Sequence, residues 1–259
     1  MTEAPQSLSM NAMDEKPALP LPPPLKALRE RGPIALFLDF DGTLVDLAPT
    51  PDSINIPSNL AQRLEALAAT LDGRLALVSG RATDNLEQHL GPLKIARAGS
   101  HGISRFQADG HRLGAEPEGL PREVYDALGK YAQANGFDLE TKAHGAALHY
   151  RSVPDREHDG LTFAKNIAEQ HELRLKRGKF VFELVRPGAD KGGAVNAFMV
   201  EEPFKGALPI FIGDDVTDED GFNAVSRLGG FGILVGDRFS TEALHRLASP
   251  KEVIEWLDL

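Results

Sequence analysis

An unbroken apolar run, Ile34-Ala35-Leu36-Phe37-Leu38, leads directly into Asp39-Phe40-Asp41-Gly42-Thr43. A run of this length without polar alternation is typical of a strand that is buried on both faces of a parallel sheet. In open α/β sheets, ligands bind at the carboxyl ends of the strands. The stretch therefore predicts an α/β fold with two carboxylates at the sheet edge where chemistry takes place.

The rest of the chain divides into a repeating pattern and an interruption of it. Apolar runs recur at residues 75–78, 208–212 and 232–235 with helical patterns beside them, which predicts a doubly wound parallel sheet. Residues 114–185 instead show helix, strand pair, helix, strand pair, which predicts an inserted α+β module. We therefore predict a Pro-rich disordered leader (1–30), a first core part (31–113), the insert (114–185) and a second core part (186–259).

Composition excludes several classes of protein. The chain of 259 residues contains no cysteine, so thiolate metal sites, disulfides and cysteine nucleophiles are excluded. Its 28 Lys+Arg against 38 Asp+Glu argue against a nucleic acid or an anionic membrane as partner. No secretory signal pattern begins the chain, and no apolar stretch approaches the roughly 18–20 residues of a membrane span, so we expect a cytoplasmic protein. Six prolines in the first 24 residues favour solvated backbone there, with a docking segment as the alternative.

Asp39 and Asp41 carry complementary chemical capacities. A carboxylate such as Asp39 can attack phosphorus and form an aspartyl-phosphate, while Asp41 can protonate a leaving oxygen and later activate water. Gly42 lets the backbone turn close to a phosphate, so that amide N–H groups point at its oxygens. The alternative is an ordinary Asx-type turn that closes the strand.

A second acidic cluster, Asp214-Asp215-Val216-Thr217-Asp218, follows another buried strand. Repulsion between these carboxylates and Asp39 would be costly unless a divalent cation offset it, and hard oxygen ligands suit Mg²⁺. The alternative, an acidic N-terminal cap of the next helix, accounts for Asp218 but poorly for two adjacent aspartates at a strand end. The cluster therefore predicts a magnesium site.

Two smaller motifs favour an anionic ligand. Ser79-Gly80 follows the second buried strand and begins a helix, where a hydroxyl and backbone N–H groups bind anions. Lys191 begins the helix before the acidic strand, and a lysine there can neutralise a phosphorylated aspartate. Each motif alone is equally compatible with an ordinary helix N-terminal cap or a surface charge.

The ordered set of motifs resembles the haloacid dehalogenase (HAD) superfamily of phosphatases, from about residue 33 to the C-terminus. The resemblance implies a Rossmann-like core and an insert that acts as a substrate-selecting cap. It implies Asp39 as nucleophile and Asp41 as acid and base. It also implies phosphate-binding and Mg²⁺-binding groups. The phosphate-binding residues would be Gly42, Thr43, Ser79, Gly80 and Lys191. The Mg²⁺ ligands would be the side chains of Asp39 and Asp214 and the backbone of Asp41, with Asp215 and Asp218 as supporting or additional ligands.

Within this superfamily, the chain resembles trehalose-6-phosphate phosphatases. The matching segments are Ser79-Gly80-Arg81, Gly99-Ser100-His101-Gly102, His149-Tyr150-Arg151, Gly178–Leu184, Arg186-Pro187 and Lys191-Gly192. The resemblance implies trehalose 6-phosphate as substrate and functional pairing with a trehalose-phosphate synthase. It implies that the sugar is contacted by Arg81, His101, Lys142, Arg151, Lys179 and Glu183.

Other interpretations remain open at this point. A related phosphatase could act on another sugar phosphate, such as sucrose-phosphate or glucosyl-glycerol phosphate. A receiver-like signalling domain also uses an acidic pocket, Mg²⁺ and a lysine, but it needs neither the leaving-group acid at Asp41 nor a cap. A non-catalytic binding module would not need the full set of catalytic residue types. His101 is explained equally well by local backbone contacts.

Overall fold

The computed structural model describes residues 19–47, 54–115, 118–142, 144–178, 180–238 and 240–259. In the first part of the chain, a short helix precedes alternating strands and helices. Its elements are α1 (Leu25–Arg29), β1 (Ile34–Leu38), α2 (Leu60–Thr70), β2 (Leu75–Val78), α3 (Thr83–Leu90), β3 (Ala96–Gly99) and β4 (Ser104–Phe106).

The middle of the chain forms the predicted α+β insert. Its elements are α4 (Arg122–Asn135), β5 (Asp138–Lys142), β6 (Gly145–His149), α5 (Glu157–Gln170), β7 (Arg174–Gly178) and β8 (Val181–Val185). The four strands pair antiparallel in the order β5-β6-β8-β7, and side chains of both helices join those of the sheet in one apolar core. Among the described helices, none combines the length and apolar character needed to cross a bilayer. The borders of the insert as a domain remain predictions.

The chain then returns to the first sheet. The last elements are α6 (Lys191–Met199), β9 (Leu208–Gly213), α7 (Glu219–Arg227), β10 (Phe231–Val235), β11 (His245–Leu247) and α8 (Pro250–Trp256). The seven-stranded sheet has the order β11-β10-β9-β1-β2-β3-β4, parallel throughout except that β4 is antiparallel to β3. The predicted doubly wound α/β class is confirmed, with an antiparallel strand at one edge.

Helices cover both faces of the sheet, which explains why β1 shows no polar alternation. Leu36 and Leu38 face the layer that contains α1, α2, α3 and α8, while Phe37 faces α6 and α7. On that second face, Phe37 stacks on Phe204 with ring centroids 5.6 Å apart. A strand that is buried on both sides needs apolar residues at every position.

The position of β1 beside β9 brings the two acidic loops together. Leu38 pairs with Ile212, and the Asp39 N–H donates to the Ile212 carbonyl at 2.9 Å. Because the strands are parallel, the residues after each strand emerge at the same sheet edge. Asp39 and Asp214 are therefore neighbours in space although they lie far apart in the chain.

The predicted leader is too long at its C-terminal end. Residues 19–30 pack against the core: Leu25 and Leu28 of α1 are buried, and Pro23 accepts a hydrogen bond from the Trp256 indole N–H at 3.0 Å. Proline removes backbone donors but leaves the carbonyls available, so a Pro-rich segment can dock through them. Residues 1–18 lie outside the described residues.

Candidate active site

A buried lysine joins the two acidic loops at the sheet edge. Lys191, the first residue of α6, donates from Nζ to Asp39 Oδ1 at 2.7 Å and to Asp218 Oδ1 at 2.6 Å. The side chains of Lys191, Asp39 and Asp218 are only 3%, 6% and 0% exposed. A charge this far from water needs partners, and here each carboxylate supplies one.

Asp214 completes a cluster of three carboxylates. Among the described residues, Asp39, Asp214 and Asp218 each offer an oxygen within 4.8 Å of the others. Gly42 makes room for this approach: a Cβ there would lie 2.2 Å from Asp214 Oδ2, and the backbone has φ +76°. A side chain at position 42 would therefore collide with a carboxylate of the cluster.

Burial and mutual repulsion raise the pKa of all three carboxylates. Burial raises the pKa of Asp39 to about 6 even though Lys191 acts against it. Burial, with Asp218 and Asp215 nearby, raises the pKa of Asp214 to about 6, and burial with Asp39 raises that of Asp218 to about 7. Burial alone would lower the pKa of Lys191, but Asp39 and Asp218 raise it above its ordinary value. The cluster carries more negative charge than its single lysine offsets.

Asp41 is held by an arginine. The Arg81 guanidinium forms a two-pronged ion pair with it, Nε to Oδ2 and Nη2 to Oδ1, both at 2.7 Å. Arg81 also donates to the Asn85 side chain on α3 at 2.8 Å, so the guanidinium is fixed from both sides. Arg81 was predicted to contact substrate, and that role stays a prediction; in the structure its guanidinium contacts the protein's own Asp41 and Asn85. The Asp41 side chain itself is 30% exposed, more than that of Asp39.

The predicted phosphate-binding residues lie around the cluster. The Thr43 hydroxyl is buried, 3.5 Å from both Asp39 Oδ2 and Asp214 Oδ1. Ser79 is also fully buried, and its hydroxyl oxygen accepts the Arg81 N–H at 3.1 Å. Gly80, the next residue, is exposed. The structure thus places Thr43 inside the cluster and Ser79-Gly80 beside Arg81; their binding of phosphate stays a prediction.

Asp215 and Asp218 differ from Asp214 in their surroundings. Asp218 Oδ2 accepts the Asp215 N–H at 2.8 Å, while its other oxygen holds Lys191. Asp215 is the N-terminal cap of a 3-10 turn, and its side chain accepts the Val216 N–H at 2.6 Å. Asp215 was predicted as a metal ligand, but the structure does not bring it into the group of three.

A cavity of about 270 Å³ is lined by residues of both the insert and the core, including Thr217 of the second acidic loop. Gly80, His101 and Thr217 line it from the core, and Lys142, Lys176 and Glu183 line it from the insert. Lys142 donates to Glu183 at 2.6 Å, so two predicted sugar-binding residues meet at its wall. The cavity therefore begins beside Ser79 and the second acidic loop and extends under the sheet of the insert.

Sequence reasoning missed Lys176, Ser100, His144 and Thr217, which also line this cavity. A signal for Lys176 exists in the strand register, because Lys176 pairs with Glu183 and so lies on the same face of the sheet. Ser100 and Thr217 lie within segments that the sequence analysis singled out, but no pattern marks these two residues, or His144, as lining a cavity. Their positions depend on how the two sheets are brought together.

His101 has an unusual local conformation. Ser100 and His101 both have positive φ, +51° and +58°, and the ring lies over Gly80, where a Cβ would be 2.8 Å from ring Cε1. Burial lowers the pKa of His101 below its ordinary value, and Lys191 lowers it further, which favours the neutral ring. Strained backbone of this kind is concentrated at functional sites. Its predicted contact with substrate stays a prediction.

The structure does not bring Arg151, a predicted sugar-binding residue, to the cavity. Arg151 follows β6 at the strand end opposite Gly145, and Gly145 is the end that lines the cavity. The structure therefore does not bring Arg151 together with Lys142 and Glu183. Lys179 lies outside the described residues.

Comparison with known proteins gives the family. Residues 37–249 match the family model described as Trehalose-phosphatase. The chain belongs to the trehalose-phosphatase family. It is 40% identical to the trehalose-6-phosphate phosphatase of Escherichia coli (strain K12) over 228 residues, covering 87% of this chain and 85% of that protein.

Solved structures agree with the fold of this family member. The trehalose-6-phosphate phosphatase of Aspergillus fumigatus superposes with a TM-score of 0.72 at 24% identity, covering 93% of this chain and 98% of that one. A phosphatase of the HAD enzyme superfamily from Bacteroides thetaiotaomicron superposes with a TM-score of 0.65 at 14% identity, covering 87% and 93%. Both the α/β core and the inserted cap thus have counterparts of known structure.

Proposed function

We propose that this protein hydrolyses trehalose 6-phosphate to trehalose and inorganic phosphate, through an aspartyl-phosphate on Asp39 and with Mg²⁺. The observation that carries the proposal is the Asp39–Lys191–Asp218 cluster with Asp214 beside it. Close to it is a cavity whose lining includes Thr217 of the second acidic loop and Lys142 and Glu183 of the cap. The family supports the substrate, since the Escherichia coli relative is a trehalose-6-phosphate phosphatase.

Asp39 is the nucleophile in this proposal. One carboxylate oxygen forms a bond to phosphorus as the bond from phosphorus to the sugar 6-oxygen breaks. Lys191 holds Oδ1 of Asp39, which leaves Oδ2, near the Thr43 hydroxyl, for attack. Lys191 also offsets the charge of the phosphorylated aspartate in a site that excludes water.

Asp41 moves the protons. It donates one to the departing sugar oxygen, then takes one from the water that attacks the aspartyl-phosphate, which releases phosphate and restores Asp39. Of the two aspartates, Asp41 is the more exposed and so the better placed to meet solvent water. In this structure Arg81 holds the Asp41 side chain through two hydrogen bonds, and in the proposal one of them opens when that oxygen carries the proton.

The carboxylate cluster suits Mg²⁺. Three hard oxygen donors lie within 4.8 Å of one another, and burial together with neighbouring carboxylates raises the pKa of Asp214. We assign the ion to Asp39 and Asp214, with the Asp41 carbonyl as the family resemblance implies, while Asp218 holds Lys191. When bound, Mg²⁺ offsets the surplus negative charge and stabilises charge on the phosphoryl oxygens.

We expect Mg²⁺ to stabilise the protein against heat. At an Mg²⁺ concentration about 100 times its Kd, binding contributes about 2.7 kcal/mol, which corresponds to a rise in Tm of roughly 5–10 °C. Differential scanning fluorimetry with and without EDTA measures it. Asp214→Asn should remove the shift, and Asp215→Asn, whose side chain caps a turn, should keep most of it. An equal shift in wild type and Asp214→Asn would contradict the assignment.

The cap gives the site its specificity in this proposal. Lys142, Lys176 and Glu183 present mixed charge along one wall of the cavity, and such groups suit the hydroxyls of a disaccharide. Gly145 and Ala147 lie between them on β6, and the absence of large side chains at these positions leaves room above the sheet at this wall. A cap that lies over the sugar also excludes bulk water from the reacting phosphate.

We expect Glu183→Gln and Lys142→Met to lower kcat/KM for trehalose 6-phosphate by about 10–100-fold, which is the loss of one charged hydrogen bond worth about 1.5–3 kcal/mol. Hydrolysis of p-nitrophenyl phosphate, which has no sugar, should change less than about threefold. Glu140→Gln is the matched control, since Glu140 pairs with His149 farther along the same strands. Equal losses on both esters would contradict a specificity role for the cap.

Phosphate release from trehalose 6-phosphate, sucrose-phosphate and glucosyl-glycerol phosphate, each with Mg²⁺, tests the substrate directly. Release from one of the other esters alone would favour the related sugar phosphatase instead. Functional pairing with a trehalose-phosphate synthase, whose reaction would supply the substrate, stays a prediction, as does a cytoplasmic location.

A further inference from the structure

Two cationic side chains of the insert reach across to two aspartates of the core. Arg174, the first residue of β7, forms ion pairs with Asp190 through Nη1 and with Asp220 through Nη2, the latter at 2.7 Å. Lys176, on the same face of β7, donates to the other Asp220 oxygen at 2.9 Å. These contacts form only when the cap lies against the core.

Asp190 is the residue in this group with the least access to water. Its carboxylate is 2% exposed, whereas Asp220 is 17% exposed. Asp190 is also the N-terminal cap of α6, and its Oδ1 accepts the Gly193 N–H at 2.8 Å. The residue that follows it is Lys191, which holds Asp39. Asp190 therefore fixes the backbone from which the active-site lysine projects.

The two oxygens of Asp190 have separate partners. One satisfies the first turn of α6, and the other is satisfied by Arg174 of the cap. A carboxylate this deeply buried is unfavourable without a cation beside it. Arg105, which donates to the Gly102 and Gly188 carbonyls, also interacts electrostatically with Asp190, but Arg174 hydrogen-bonds the carboxylate directly. Loss of Arg174 would remove this bond from a buried oxygen, and the Asp190 carboxylate would shift together with the start of α6.

We propose that Arg174 is a positioning residue of the active site: the cap supplies it to Asp190, and through Asp190 it holds Lys191 in place against Asp39. Enclosure of the substrate and alignment of the phosphate-binding lysine are thereby one event. The inference rests on the proposed function for the identity of the reaction. The positioning of Lys191 by Asp190 and Arg174 does not depend on which phosphate ester is the substrate.

Arg174→Met tests the proposal, because methionine keeps much of the side-chain volume and removes the charge. We expect kcat to fall by about 10–100-fold on both trehalose 6-phosphate and p-nitrophenyl phosphate, with KM changed less than about threefold. Arg174→Lys should recover part of the loss. Arg177→Met is the control: Arg177 lies on the same strand but pairs with Glu157 inside the cap, at 2.8 Å.

A double-mutant cycle locates the effect at Asp190. Asparagine also caps helices, so Asp190→Asn keeps an acceptor for the Gly193 N–H while removing the charge. In that background Arg174→Met should lower kcat by less than about twofold further, because its partner charge is gone. Independent losses that multiply would overturn the proposal, as would a change in KM alone or a lower Tm with kcat unchanged.

A binding measurement separates this inference from the choice of substrate. Beryllium fluoride mimics a phosphoryl group on an aspartate, and we expect its Kd with Mg²⁺, measured by calorimetry, to be weakened about tenfold or more by Arg174→Met but not by Arg177→Met. This result would stand even if trehalose 6-phosphate proved not to be the substrate. Equal affinity in wild type and Arg174→Met would overturn the role of Arg174 whatever the substrate is.

Discussion

Asp39→Asn is expected to reduce hydrolysis of trehalose 6-phosphate by at least about a thousandfold, because an amide cannot form the covalent phosphate intermediate. Loss of a nucleophile removes the whole reaction path, whereas loss of a hydrogen bond to the sugar removes only part of the binding energy. Steady-state release of phosphate, with Mg²⁺ in excess, measures the effect.

The same substitution should leave the fold intact, which separates chemistry from stability. Asparagine has nearly the shape of aspartate, and Lys191 keeps its bond to Asp218. Removing one carboxylate also relieves repulsion in a cluster where burial raises the pKa of both Asp39 and Asp218. In the absence of Mg²⁺ we therefore expect Tm to change by no more than a few degrees. Substantial turnover by a well-folded Asp39→Asn would rule out Asp39 as nucleophile.

The position of the acidic loops could be predicted because it depends on local sequence. An apolar run that is followed by Asp39, and another followed by Asp214, each define a buried strand and its end. Parallel pairing of the two strands then fixes which residues meet, as the hydrogen bond from Asp39 N–H to Ile212 illustrates. Lys191 could be predicted for the same reason, since it begins a helix beside this edge.

Partners that come from distant elements could not be predicted in the same way. Nothing local indicates that Arg81 pairs with Asp41 or that Arg174 of the cap reaches Asp190. These ion pairs depend on the side-chain direction and on how the insert lies against the core. A related reason explains why the structure does not bring Arg151 to the cavity. Strand register places the Gly145 end of β6 beside Val185 at the cavity, whereas Arg151 follows the other end of the strand.

The leader shows how composition alone misleads. Many prolines predict solvated backbone, yet residues 19–30 pack on the core, where Leu25 and Leu28 are buried and the Pro20 carbonyl accepts the Arg246 N–H at 3.0 Å. Composition describes the average polarity of a segment, but a few buried side chains and hydrogen-bonded carbonyls are enough to hold that segment on the core. The prolines reduce the entropy that such docking costs.

Lys191→Met is expected to affect both stability and activity. It leaves Asp39 and Asp218 buried and close together without their shared cation, and breaking a buried ion pair costs about 3–5 kcal/mol. We expect Tm without Mg²⁺ to fall by roughly 10 °C, and turnover to fall by at least about a hundredfold because the phosphorylated aspartate loses its counter-charge. Lys205→Met is the control, because Lys205 lies on the exposed surface of the α/β domain, and it should change neither Tm nor turnover appreciably.

Adding Asp218→Asn to Lys191→Met separates the two effects. The double variant removes one negative charge together with the positive one, so the cluster regains its original net charge and most of the lost Tm should return. Turnover should stay low, since Asp39 then has no lysine to offset the charge of its phosphorylated form, and stability and catalysis would be uncoupled in a single chain. Recovery of turnover along with Tm would instead assign Lys191 a purely structural role, with charge balance as its whole contribution.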